Sequence, residues 1–243
     1  RTTMDAAVML RAMADPLTEE MVGEANRMVH IASEIDAGLE GIRIGVPSNY
    51  FFDALEPEIS SIVQNAIDAL VMLGAEQVQV ELESVDRLAA AQLGILTLEA
   101  YQNVMAATDG DITRVNSTLR ARLKDGMDAS MRSGEDLLVA LGRLRAERDD
   151  ALAGYRRATG NVDVLVAPVL QRSPPTVEAA RTDYQWMPNL TRPFNASHQP
   201  VISVPCGWTK VGLPVGLQIV APKYRERTAI RVAYTYEQSQ HAP

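Results

Sequence analysis

Nucleophilic catalysis at a carbonyl or phosphoryl centre needs a serine, cysteine or threonine with a base in hydrogen-bond reach, and few side chains in this sequence offer that pairing. Cys206 is the single cysteine and closes an apolar strand-like run, which reads as a buried structural thiol. The three histidines are scattered. His30 lies on a polar helix-like segment, His198 at a loop-to-strand junction and His241 in the tail, so none completes a triad by spacing. Of the three lysines, Lys124, Lys210 and Lys223, none follows a serine by three positions, which removes Ser-x-x-Lys chemistry. No glycine-rich phosphate cradle occurs. The adjacent acids Glu19-Glu20 and Asp149-Asp150 point different ways along helices and read as solvated faces. One cysteine rules out a disulfide framework or Cys-rich metal site, and three histidines leave little for zinc, so no cofactor or metal is expected. By its own residues the chain carries no complete catalytic apparatus.

The elements that would have to position any site are clearer. Thr2 and Asp5 have capping-box spacing ahead of a short helix over 3–14. Residues 17–40 are polar with weak helical character. In 41–47, Ile42, Ile44 and Val46 alternate with Arg43 and Gly45, a strand signal. Over 57–73, Ile59, Ile62, Val63, Ala66, Ile67 and Leu70 recur at helical spacing, with Pro57 in the first turn and Gly74 as C-terminal stop. A second alternation follows at 76–82, so 41–82 reads as a right-handed βαβ unit. Residues 85–158 are helical only, with Ser133 and Asp136 as a further capping signal before a long amphipathic stretch at 137–155. Residues 162–167 are nearly all apolar, as in a strand covered on both faces. Strands at 200–206 and 214–220 and a helix at 226–238 close the chain. The expected class is α/β: a mixed sheet of about five strands flanked by helices, with a helical lobe inserted between strands.

Composition agrees with a globular chain. Of the 243 residues, 47% are apolar and 22% charged. The net charge of −8 speaks against nucleic acid as a partner. Apolar runs stay far below the about 20 residues of a membrane span, and no signal peptide opens the sequence. A cytoplasmic location is expected. Residues 1–160 hold 26 acidic and 15 basic side chains, against 5 and 8 in 161–243. Acidic helix faces followed by buried strands account for this; the alternative is a basic end that guides an anionic ligand.

The C-terminal third is more specific. NLTRPFNASHQPVISVPCGW at 189–208, GLPVGLQIV at 212–220 and RVAYTYE at 231–237 resemble the end of the amidase signature family. RTTMDAAVML at 1–10, GLEGIRIGVPSNYF at 38–51 and VDVLVAPV at 162–169 fit the same order, so the resemblance covers essentially the whole chain. It implies a hydrolase that cleaves carboxylic amides with a serine nucleophile, a second serine and a lysine. Nothing here matches those residues or the glycine-rich oxyanion loop, so no catalytic residue is assigned. Arg1-Thr2 resembles the tail of the segment that follows the serines in the family. The expectation is one family domain, its C-terminal portion, made of a helix and βαβ region (1–84), a helical lobe (85–158) and C-terminal strands and helix (159–243).

What the resemblance does place is a pocket wall. The pattern Thr191-Arg192-Pro193-Phe194-Asn195 follows a segment that lines the acyl pocket in the family, giving Trp186, Thr191, Phe194 and Asn195 as substrate-binding candidates. Asn195 alternatively ties down a loop. Two departures stand out: His198 replaces a usual glycine, and Pro188 stands where members acting on aminoacyl-tRNA tend to place an acid. Trp186, Met187 and Phe194 instead suit an apolar acyl group. The partners implied are a small-molecule amide, an N-terminal catalytic half and, through an apolar patch expected beside SVPCG, a second copy of the chain. The alternative is a non-catalytic binding or scaffolding protein on the same fold.

Overall fold

In a computed structural model, which describes residues 2–14 and 35–241, the alternation around Ile44 becomes strand β1 (Arg43–Pro47). Helix α2 (Pro57–Met72) follows, with Pro57 in its first turn and Ile59, Val63, Ala66, Ile67 and Leu70 buried. It stops as its sequence dictates. Gly74 adopts φ +103°, its N–H donates to Val71 O and the Ala75 N–H to Leu70 O, the paired bonds of a Schellman motif. Strand β2 (Glu76–Val80) then returns parallel to β1, with Arg43 opposite Glu76.

Strand β3 (Val164–Pro168) is buried at every residue. It runs parallel to β1 and antiparallel to β5 (Pro214–Val220), which in turn pairs antiparallel with β4 (Val201–Trp208). The sheet order is β2-β1-β3-β5-β4. A central strand walled on both faces needs apolar residues at successive positions, and each fully buried Val or Leu contributes about 1.5–3 kcal/mol. Helix α2 and the C-terminal helix α7 (Glu226–His241) share a core with the sheet, including Ile44, Val63, Ile67, Leu217, Ile219 and Tyr236. Cys206 packs against that core. It is also the extra residue of a β-bulge, because Pro205 faces Gly216 while Gly207 already faces Val215.

Helix α1 (Thr3–Met13) opens on the expected capping box. The Asp5 N–H donates to Thr2 Oγ1 and the Thr2 N–H to Asp5 Oδ2. Its buried Ala7 meets Ile230 of α7. The weakly helical reading of 17–34, and His30 with it, falls outside the described residues. Among the described residues β4 is an edge strand, and Val201 (42% exposed) and Trp208 (67%) leave apolar surface on it.

Contacts divide the chain into two compact units, the second being Glu83–Arg156. That unit holds α3 (Val85–Ala107), a single 3₁₀ turn (Ile112–Arg114), α4 (Ser117–Ser130) and most of α5 (Leu137–Ala158). Ile95, Leu98, Leu141 and Leu144 form its core. Gly126 lets α4 approach α3, since a Cβ there would clash with the Thr97 side chain. One local expectation is corrected. Asp136 does cap α5, accepting from the Leu138 N–H, but Ser133 sits in the turn before it. Glu135 holds that turn instead, accepting from the Arg132 N–H and pairing with Arg143. Asp149 and Asp150 part as expected, bonding to Arg148 and Arg87 respectively. Among the described residues no helix is long and apolar enough to cross a membrane.

Candidate active site

Because β1 and β3 are parallel neighbours, the segments leaving their C-terminal ends emerge at the same edge of the sheet, the place where open α/β sheets bind ligands. The segment after β1 is fixed by Asn49, whose carboxamide accepts from the Leu82 N–H and donates to the Leu82 carbonyl. That placement brings the Tyr50 hydroxyl to the Asn189 carbonyl at 2.9 Å. It also stacks Phe51 on Phe194, with centroids 5.3 Å apart.

The segment after β3 borders a cleft of about 100 Å³, lined by Val169, Leu170, Ile59 and Val215 with Arg172, Ser173, Ser203 and Thr209 as its polar groups. The N-terminal end of α2, cap residue included, fixes both rims. Glu56 accepts from the Ser173 N–H (2.9 Å), and Glu58 accepts from the Lys210 N–H in the β4–β5 turn (2.7 Å). Gly216 keeps the floor open, since a Cβ there would lie 3.0 Å from Val169 and 3.1 Å from Ser203 Oγ. None of the polar lining groups is a general base. The Arg172 guanidinium is held by Asp183 at 2.6 Å and covers the Trp186 ring at 4.3 Å. Half-buried Cys206 packs against the core, and burial pushes its thiol up to about 12, which disfavours the nucleophilic thiolate. Among the described residues no group of three or more His, Cys, Asp or Glu could hold a metal ion.

A family model described as amidase matches residues 1–230. The chain belongs to the amidase signature family. It is 30% identical to an amidase of Pseudomonas putida, over 98% of this chain and 52% of that protein. It is also 30% identical to one component of the glutamyl-tRNA(Gln) amidotransferase of Myxococcus xanthus, over 98% of this chain and 53% of that one. The chain thus spans about half the length of these curated relatives. Among solved structures, 6-aminohexanoate cyclic dimer hydrolase superposes with a TM-score of 0.76 at 22% identity, covering 98% of this chain and 53% of that one. A bacterial aryl acylamidase gives 0.68 at 19% identity, covering 86% and 46%. These show a shared fold.

Within this amidase fold the four candidates fall on one segment with different surroundings. Trp186 is half-buried, donates from Nε1 to Asp183 O and lies under Arg172. Thr191 Oγ1 donates to Pro188 O at 3.1 Å. Phe194 and Asn195 lie in the middle of the short helix α6 (Arg192–Ser197), where Phe194 is 3% exposed and Asn195 is exposed. None of the four lines the cleft; Arg172, missed in the sequence, connects it to Trp186. Its signal was weak, one cation in a Ser/Pro-rich stretch. His198 ends α6 with φ +55° and ψ +35°, the left-handed conformation that glycine adopts without strain.

Proposed function

We propose that this chain forms the acyl-pocket side of a cytoplasmic amide hydrolase. The reaction would convert a small carboxylic amide to its acid and ammonia or an amine, with the serine–serine–lysine set supplied by sequence outside these 243 residues. The observation that carries the reading is family membership combined with a cleft that has no nucleophile–base pair. In this reading Trp186, Thr191, Phe194 and Asn195 belong to the segment that walls the part of the acyl pocket beyond the cleft, with Arg172, which lines the cleft, bracing Trp186. The cleft of about 100 Å³ is a corner of a site rather than a whole one, since ligand pockets span roughly 300–1,000 Å³. Pro188 carries no charge, and with Trp186 and Phe194 beside it an apolar acyl group suits this wall better than an aminoacyl-tRNA end.

The test compares the 243-residue chain with the same chain joined to the segment encoded directly before it. A panel of aliphatic and aromatic amides should be turned over by the joined protein and left intact by the chain alone. Turnover by the chain alone that a Ser203→Ala change abolishes would overturn the reading. A joined protein that binds amides without cleaving them would establish the binding-module alternative. The exposed edge of β4 adds association with a second copy to this proposal. Light scattering from a monodisperse monomer would remove it.

A further inference from the structure

Gln218 lies in the middle of β5, opposite Ala167 of β3 and Ser203 of β4. Its neighbours Leu217 and Ile219 face the core shared with α2 and α7, so alternation turns Gln218 to the other face, with Gly216 of the cleft floor. The residue is 1% exposed, yet its side chain is polar. Nε2 donates to Pro168 O at 2.8 Å and to Leu190 O at 2.9 Å. Both partners are carbonyls, so only the NH₂ end of the carboxamide can face them, and both of its hydrogens are committed. Pro168 ends β3 at the cleft, and Leu190 immediately precedes the Thr191–Asn195 pattern.

We infer that Gln218 is the positioning residue of the pocket wall: one buried carboxamide fixes the wall segment to the end of β3, and so sets where Trp186 and Thr191 stand relative to the cleft. The inference rests on the pocket-wall reading above for its functional meaning, but not for its geometry. The Tyr50 hydroxyl donates to the adjacent Asn189 carbonyl, and Arg192 donates to Asn189 Oδ1 and Gln185 O. The Arg192 bonds keep the segment folded upon itself. Gln218 joins it to the sheet through two donors on one atom.

Hydrogen exchange on the full chain tests the geometry. In Gln218→Met, which keeps length and removes both donors, the amides of Asn189, Thr191 and Arg192 should exchange about tenfold faster, equivalent to about 1.4 kcal/mol of local opening. The β1–β2 ladder amides should be unchanged. Gln218→Glu, buried and therefore held neutral, keeps one O–H donor and should fall between the native chain and Gln218→Met. Equal acceleration in both regions, or no graded order among the three proteins, would overturn the inference. Should Gln218→Met fail to fold, the Gln218→Glu comparison against the native chain decides it alone. In the joined enzyme, Gln218→Met should raise KM for bulky acyl groups more than it lowers kcat. If the wall amides loosen while acyl selectivity stays fixed, Gln218 still positions the segment and the pocket-wall reading fails.

Discussion

Phe51 and Phe194 stack nearly parallel, their planes 13° apart, and so join the segment after β1 to α6, the helical part of the candidate wall. Both rings are buried, Phe51 completely. Phe194→Ala should cost about 3–5 kcal/mol in urea unfolding. A double-mutant cycle with Phe51→Ala should show a coupling of about 0.5–1.5 kcal/mol beyond the loss of buried area. A coupling near zero would mean the two rings merely share a cavity.

Trp186 is the contrasting case, half-exposed and braced by a cation. In the joined enzyme Trp186→Ala should alter the rate ratio between large and small acyl amides while changing stability far less than Phe194→Ala. A shift in stability with unchanged selectivity would make the tryptophan packing alone.

Alkaline stability should report the Cys206 neighbourhood. Burial raises the Cys206 thiol to about 12, and burial with the nearby thiol raises the Tyr236 hydroxyl to about 12. A raised folded value means the stabilisation is complete below the unfolded thiol value of about 8.5 and is lost as pH climbs through the folded value. Denaturant midpoints should therefore fall between about pH 9 and 12. Cys206→Ala should flatten that fall, and an unchanged slope would place its origin elsewhere.

The helical unit should instead be sensitive to acid. The Arg143 guanidinium, with the Arg132 N–H, holds the Glu135 carboxyl down at about 2. A depressed folded value gives stabilisation that is present above the unfolded value of about 4.3 and is lost as pH falls toward 2. Far-ultraviolet circular dichroism should show helix loss in that window, and Glu135→Gln should remove the pH dependence while lowering stability at neutral pH.

His198 offers a backbone test. Its left-handed conformation costs an L-residue about 1–2 kcal/mol, so His198→Gly should raise the melting temperature. His198→Val should lower it, because a β-branched residue is poorly tolerated there. Equal effects would show that the α6 terminus relaxes freely.

Legibility in the sequence followed periodicity. Alternation around Ile44 and Val80, the unbroken run at β3, the Thr2–Asp5 box and the Gly74 stop all correspond to observed elements. These are local signals, and tertiary contacts did not override them. Strand order was less accessible. That β5, last in the chain, inserts between β3 and β4 depends on a hairpin pairing no single segment encodes. The cleft was invisible for a related reason: Val169 to Pro174 has neither period 2 nor period 3.6, and its rims come together through Glu56 and Glu58. Gln218 was missed although a signal existed. A lone amide inside an apolar strand must bury its donors or lose their hydrogen bonds.

The two glutamates at the start of α2 have a consequence for how this fold could diversify. One rim hangs on Glu56 and the other on Glu58, so a rigid helix end acts as a spacer between them. The width of the opening is then inherited from helix geometry, about 1.5 Å of rise per residue, rather than from loop length. Lengthening the turn after β4 would change what lies above the opening without widening it. Changing the volume of Ile59 or Val215, buried residues that line the cleft, is the route by which a different acyl group would be admitted.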